Sequence, residues 1–269
     1  MFLQFQQYFI EHEAAFRLIS FIIIIFLLLI LELIWPRRRP TGNNNVRRLN
    51  NFLLLLVNYV AARLLVPLAT FQVAIYVHEN NFGLLNLFYL PLWLNAVITI
   101  VVFDLLIYIQ HVVFHKVKFL WHIHRVHHTD LSFDVTTAIR FHPFEIVLSM
   151  FYKLLATSLL GPAAFAIILY EILLNAAALF THSNIFLNSK LEKYLRKIIV
   201  TPDMHRIHHS VEKLETDSNY GNIFSFWDRL FKTYCPVPGA GYDDMLIGLK
   251  EFRDVKYGQL LQLLKTPFI

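Results

Sequence analysis

The chain has 269 residues, 57% of them apolar, with 25 phenylalanines and a formal charge of only +5. It is long enough for one domain and far more apolar than a water-soluble domain needs, so membrane is the working class. A single cysteine, Cys235, excludes an intrachain disulfide framework and any thiolate-rich zinc or iron–sulfur site, so a metal here must be held by histidine and oxygen.

Residues 18–35, LISFIIIIFLLLILELIW, are nearly unbroken hydrocarbon with Glu32 near the end, close to the length that spans a bilayer as a helix. A cleaved signal peptide would begin with a basic leader and end in small residues; this run has neither and is followed by PRRRP, so it is expected to stay. The loop PRRRPTGNNNVRR carries Arg37, Arg38, Arg39, Arg47 and Arg48, a clump that suggests a membrane face rather than a nucleic-acid groove. The positive-inside rule puts that loop in the cytoplasm. A second apolar run, residues 52 to about 77, is interrupted by Arg63 and Pro67, and a third, about 87 to 109, returns. Residues 146–180 are broken by Gly161 and Pro162 and fit a tight helical hairpin that re-emerges where it entered. This count brings the segments around His111 and His205 to the same, cytoplasmic, side. After Ser189 the composition becomes charged and mixed, as expected of a cytoplasmic cap, with a turn-rich DSNYGN at 217–222 and an amphipathic FSFWDRLFKTY at 224–234. Three regions result: spans and arginine loop (1–100), a central region (101–235) and a C-terminal tail (236–269).

Three histidine clusters lie within that frame: HVVFH at 111–115, HRVHH at 124–128 and HRIHH at 205–209. A helix puts residues three and four apart on one face, so each cluster can aim its rings at one spot. Eight imidazoles are too many for one ion, and imidazole suits iron, zinc, copper or nickel, so two metals sharing a site is the natural inference. Asp104, two turns before His111, is a candidate to orient a ligand ring through its free N–H, as are Asp203 and Glu145. Asn175 and Glu171 are expected to hydrogen-bond either within the site or to neighbouring helices. Trp227 and Asp228 read as fold residues of the cap, His122 as peripheral, and His12 and His78 as bystanders on the far side.

The three boxes, together with DLLIYIQH, RFHPFE, LFTHSNI, TPDMHRIHH and NYGNIFSFWDRLFKTY, resemble the fatty acid hydroxylase and sterol desaturase superfamily of membrane di-iron oxygenases, over about residues 104–234. The resemblance implies an all-α, multi-pass membrane bundle with a histidine-rich cytoplasmic cap holding a dimetal site. It implies as iron ligands His111, His115, His124, His127, His128, His205, His208 and His209. His182 would be a further ligand, and His142 either a ligand or a cap of the helix beginning at Pro143. It implies two non-haem iron ions, O2 as co-substrate, and hydroxylation or desaturation of a sterol, fatty acyl or related lipid. No GxGxxG after a strand and no CxxCH is present, so electrons are expected from a separate ferredoxin or cytochrome b5-type donor with its reductase. The alternatives left by the residues themselves are a zinc-dependent hydrolase or isomerase and a non-catalytic metal-binding membrane protein using the same cage.

Overall fold

The computed structural model describes residues 2–39 and 44–269, so residues 40–43 of the arginine loop lie outside the described residues. A short helix α1 (Phe2–Glu11) precedes α2 (Glu13–Ile34), which starts earlier than the apolar run and is about 33 Å long at 1.5 Å per residue, enough to cross hydrocarbon. Ile19, Ile22, Ile23, Phe26 and Leu27 of α2 are exposed, an apolar surface that only lipid would cover. Its one interior carboxylate has a structural use. Glu32 Oε1 accepts the backbone N–H of Val135 and of Asn184, 2.7 Å each, and so fixes two cap segments to the end of α2.

The second crossing is a broken one. α3 (Asn44–Leu65) stops before Pro67, whose missing N–H cannot continue the ladder, and α4 (Thr70–Glu79) resumes it, both packing along the same neighbour, α7 (Pro143–Leu160). α5 (Leu92–Lys116) returns and leads through Val117 into α6 (Lys118–His128). α7 and α8 (Ala164–Thr181) form the hairpin, turned by Gly161 in the left-handed region at φ +66° and followed by Pro162. The turn is locked against the α4–α5 connection. A Cβ on Gly83, itself at φ +93°, would stand 2.6 Å from the Gly161 Cα, so both positions need glycine. α8 is the central helix, flanked by α2, α4 and α5.

The cap follows: α9 (Ser189–Leu195), α10 (Pro202–His208), α11 (Lys213–Thr216), α12 (Phe226–Leu230), α13 (Gly241–Asp244) and α14 (Leu260–Lys265), with short 3-10 turns between. Among the described residues there is no strand, only three isolated bridges. The arginine loop does not form a bare basic face. Arg37 pairs with Asp203 (3.0 Å) and Asp243 (2.9 Å), Arg47 with Asp130 (2.7 Å) and Asp134, and Arg48 with Asp134 (2.8 Å), while Arg39 is exposed. The protein is thus an all-α bundle with, among the described residues, five helical stretches long and apolar enough to span a membrane.

Candidate metal centre

The C-terminal ends of α5 and α8 and the whole of α6 and α10 meet at the junction of spans and cap, and every histidine of the three boxes is there. The rings sort into two groups. His111, His115, His124, His128 and His208 place one nitrogen each within 4.8 Å of one another, and His127, His182, His205 and His209 do the same. The two HRxHH boxes therefore divide in complementary ways. HRVHH gives its i, i+4 pair His124 and His128 to the first group and His127 to the second, whereas HRIHH gives His208 to the first and His205 with His209 to the second.

Ring orientation is set by what each outer nitrogen touches. A carbonyl or carboxylate oxygen can only accept, so the nitrogen against it carries the proton and the other ring nitrogen is left as a lone pair. His111 Nδ1 donates to Tyr220 O (2.8 Å), His208 Nδ1 to Ser218 O (2.7 Å), His182 Nδ1 to Ala178 O (2.7 Å) and His124 Nδ1 to Glu145 Oε1 (2.7 Å). His115 Nδ1 lies 3.4 Å from Asp217 Oδ1. The inward Nε2 atoms of His111, His115 and His208 are buried without any partner. Those of His128 and His124, His127 and His182, and His182 and His205 face each other at 3.3, 3.0 and 3.1 Å. Burial, reinforced by the neighbouring rings, pushes His127, His128, His205, His208 and His209 well below the usual imidazole pKa. The His182 ring is pushed down to about 4 by the same burial. These six rings are neutral at pH 7. Buried lone pairs converging without protons between them are what a cation satisfies, and an all-nitrogen set of five and four donors suits iron, zinc, copper or nickel.

Aromatic walls close the cage. Phe141 stacks on His127 (4.5 Å between centroids), and Phe133 lies over His182 (5.7 Å) and beside His209 (5.1 Å). Arg140, fully buried, ties the end of α6 to α3 and the tail through Val126 O, Asn51 Oδ1, Thr129 Oγ1 and Tyr257 O.

Several sequence expectations are corrected here. Asp104 touches no histidine. Its carboxylate accepts from Ile223 N, Phe224 N (3.1 Å each) and Trp227 Nε1 (2.9 Å), pinning the cap segment 223–227 to α5. Asp203 is engaged by Arg37 instead of a ring, and Asn175 is exposed on α8 and makes no contact with the cage. His142 caps α7, its Nδ1 accepting from Phe144 N and its Nε2 donating to Leu264 O, and belongs to neither group. Glu171 reaches neighbouring helices through Arg17, Lys153 and Thr70. Glu145 does contact a ring, that of His124. Asp217 and the carbonyls of Tyr220 and Ser218 were not anticipated. They come from DSNYGN, which reads as a turn and is held in place by Asp228, whose carboxylate accepts from Tyr220 N, Gly221 N and Thr233 Oγ1.

A membrane-type helical bundle whose cap gathers two histidine groups is a defined class of protein, and comparison with known families agrees. Residues 96–233 match the fatty acid hydroxylase family, so the chain belongs to it. Human alkylglycerol monooxygenase is 30% identical over 166 residues, 60% of this chain and 34% of the relative. The ornithine lipid hydroxylase OlsE of Rhizobium tropici is 28% identical over 178 residues, 66% and 51% of the two chains. The very-long-chain aldehyde decarbonylase GL1-11 of indica rice is 29% identical over 157 residues, 56% and 58%. The chain spans about a quarter to a third of the length of the alkylglycerol monooxygenases it matches. No solved structure matches it.

Proposed function

We propose that the protein is a membrane-bound, O2-dependent oxidoreductase that hydroxylates or desaturates the hydrocarbon part of a lipid, with two iron ions held by the nine grouped histidines. One observation carries the reading: nine imidazoles, eight of them buried and His111 half-buried, converge in a five-plus-four arrangement at the mouth of an apolar bundle, in a chain of the fatty acid hydroxylase family. Iron bound there would supply activation of O2 toward an unactivated C–H bond. The chain's own residues do the rest. His111, His124, His182 and His208 are locked by their Nδ1 donations, Glu145 strengthens the donor character of His124, and Phe133 and Phe141 keep water from the rings. The apolar faces of the spans let a lipid reach the cage sideways without leaving hydrocarbon. The relatives named above include one enzyme named for alkylglycerol and one for an ornithine lipid, which supports a lipid substrate while leaving its polar part open.

Hydroxylation consumes O2, two electrons and two protons, forms one C–O bond and releases one water. The electrons come from a separate ferredoxin or cytochrome b5-type donor. The arginine-rich end, and with it the cage and the C-terminus, faces the cytoplasm, as the excess of arginine after α2 favours.

The test is lipid mass spectrometry of membranes with and without the protein under isotopically labelled O2. A lipid that gains one labelled oxygen, or loses two hydrogens only when O2 is present, is expected. Turnover that persists without O2, in a zinc-loaded protein, would instead support a hydrolase or isomerase.

A further inference from the structure

A cavity of about 480 Å³ is set into the cap beside the four-histidine group. Phe133, Asn184 and Arg206 are among its lining, and the same Phe133 ring packs against His182 and His209. Six arginines line it, Arg37, Arg38, Arg39, Arg48, Arg206 and Arg253, against two carboxylates, Asp134 and Asp243.

The carboxylates do not use up the positive charge. Arg37 and Arg48 are paired with them, but among the described residues Arg38 and Arg253 donate only to backbone carbonyls, those of Asp243 and Met245 and of Ile247. Arg39 is exposed and has no partner among the described residues. Arg206 is 1% exposed and spread over the Phe133 ring at 4.5 Å. Its Nε has no hydrogen-bond partner, and the nearest carboxylate oxygen, on Asp203, is 3.7 Å away. Guanidinium forks with spare N–H groups in a concave site match the several oxygens of a phosphate better than any single carboxylate.

Depth and shape narrow the ligand. Arg37–Arg39 follow α2 directly, and Trp35, 59% exposed at the end of that helix, is an interface residue by type, so these guanidiniums stand at headgroup level. Of the remaining lining, Asn44 and Ser132 are polar, while Leu131, Met245, Leu246 and Ile247 are apolar and accept the carbon beside a headgroup. A concave cavity of this size takes a small group and not a protein surface. We infer that this cavity binds a phosphate oxyanion, as presented by the headgroup of an anionic phospholipid, and so anchors such a lipid one aromatic ring away from the four-histidine group. The binding does not depend on the oxidation chemistry, so the proposal stands or fails separately from the reading of the metal centre.

The full chain, solubilised in mild detergent, is examined by native mass spectrometry with phosphatidylglycerol or phosphatidylcholine, and by thermal unfolding with inorganic phosphate. Phosphatidylglycerol is expected to be retained in preference to phosphatidylcholine, whose choline cation the arginines repel. The double substitution Arg39→Gln with Arg253→Gln should weaken retention about tenfold, and the double substitution Lys118→Gln with Lys190→Gln, which removes the same two charges from exposed positions outside the cavity, should not. Stabilisation by inorganic phosphate that the double substitution abolishes, without a phosphatidylglycerol preference, keeps the oxyanion site and assigns its ligand to soluble phosphate. Arg39→Gln alone, exposed and unpartnered, serves if the double variant folds poorly. Equal retention of the two lipids with no effect of phosphate, or equal losses in the Lys118→Gln, Lys190→Gln control, would overturn the proposal.

Discussion

His182 closes the second histidine group, and its geometry explains how. It ends α8, its Nδ1 donates back to Ala178 O, and the Nε2 lone pair is left between His127 and His205. His182→Ala should therefore lower bound metal from two ions per chain toward one and leave the five-histidine group loaded, read by elemental analysis of the purified protein. Glu145 acts through His124. Glu145→Gln, which keeps an acceptor oxygen but no charge, should cost metal affinity or activity less than Glu145→Ala, and the latter about 10- to 100-fold. Acid should unfold the metal-free protein through the same rings. His182 titrates near 6.5 when unfolded and near 4 when folded, so the unfolded chain takes up protons first as the pH falls. That stability is fully present above about 6.5 and is lost down to about 4, which thermal melts of the chelated protein at a series of pH values will show. The box histidines are legible in the sequence because helical spacing announces them. Their division between two groups is not, since spacing fixes a shared face and says nothing of which neighbour stands opposite. Nor are Tyr220 O and Ser218 O legible, because a backbone carbonyl carries no residue signature.

At the scale of elements, the cage depends on joints between helices that are individually plain. The Asp104 carboxylate receives three N–H groups from residues 223–227, and those residues lie just beyond the carbonyl that orients His111. Asp104→Asn removes the charge and part of the acceptor capacity. It should destabilise the cap by about 1–3 kcal/mol, seen as a lower melting temperature, while metal stoichiometry in the folded fraction is retained; loss of metal without loss of stability would restore a direct role at the cage. At the opposite end, Gly83→Ala forces a side chain toward the Gly161 Cα at positive φ and should destabilise by more than about 1 kcal/mol. The hairpin was readable from Gly161 and Pro162, and the broken second crossing from Pro67. The glycine contact between them was not, because it joins residues far apart in sequence. Asp104 misled for a related reason: its position two turns before His111 is correct, but the side chain turns toward α12 and not toward the ring.

At the scale of the molecule, the spans and the cage form one arrangement. α5 and α8 are at once the most buried spans and the carriers of His111, His115 and His182, so the apolar bundle delivers the ligands directly to the level of the cap. The paired arginines after α2 clamp that cap in place, and the proposed orientation is checked by a reporter fused to the C-terminus. A reporter active only in the cytoplasm should give signal, and signal from one active only across the membrane would reverse the topology. The central claim, that nine imidazoles hold two iron ions, is tested most directly by metal analysis with Mössbauer spectroscopy on iron-reconstituted protein. Two irons per chain in nitrogen-rich sites, falling to one in His182→Ala, is the expected result; a single ion per chain, or zinc held to the exclusion of iron, would contradict it.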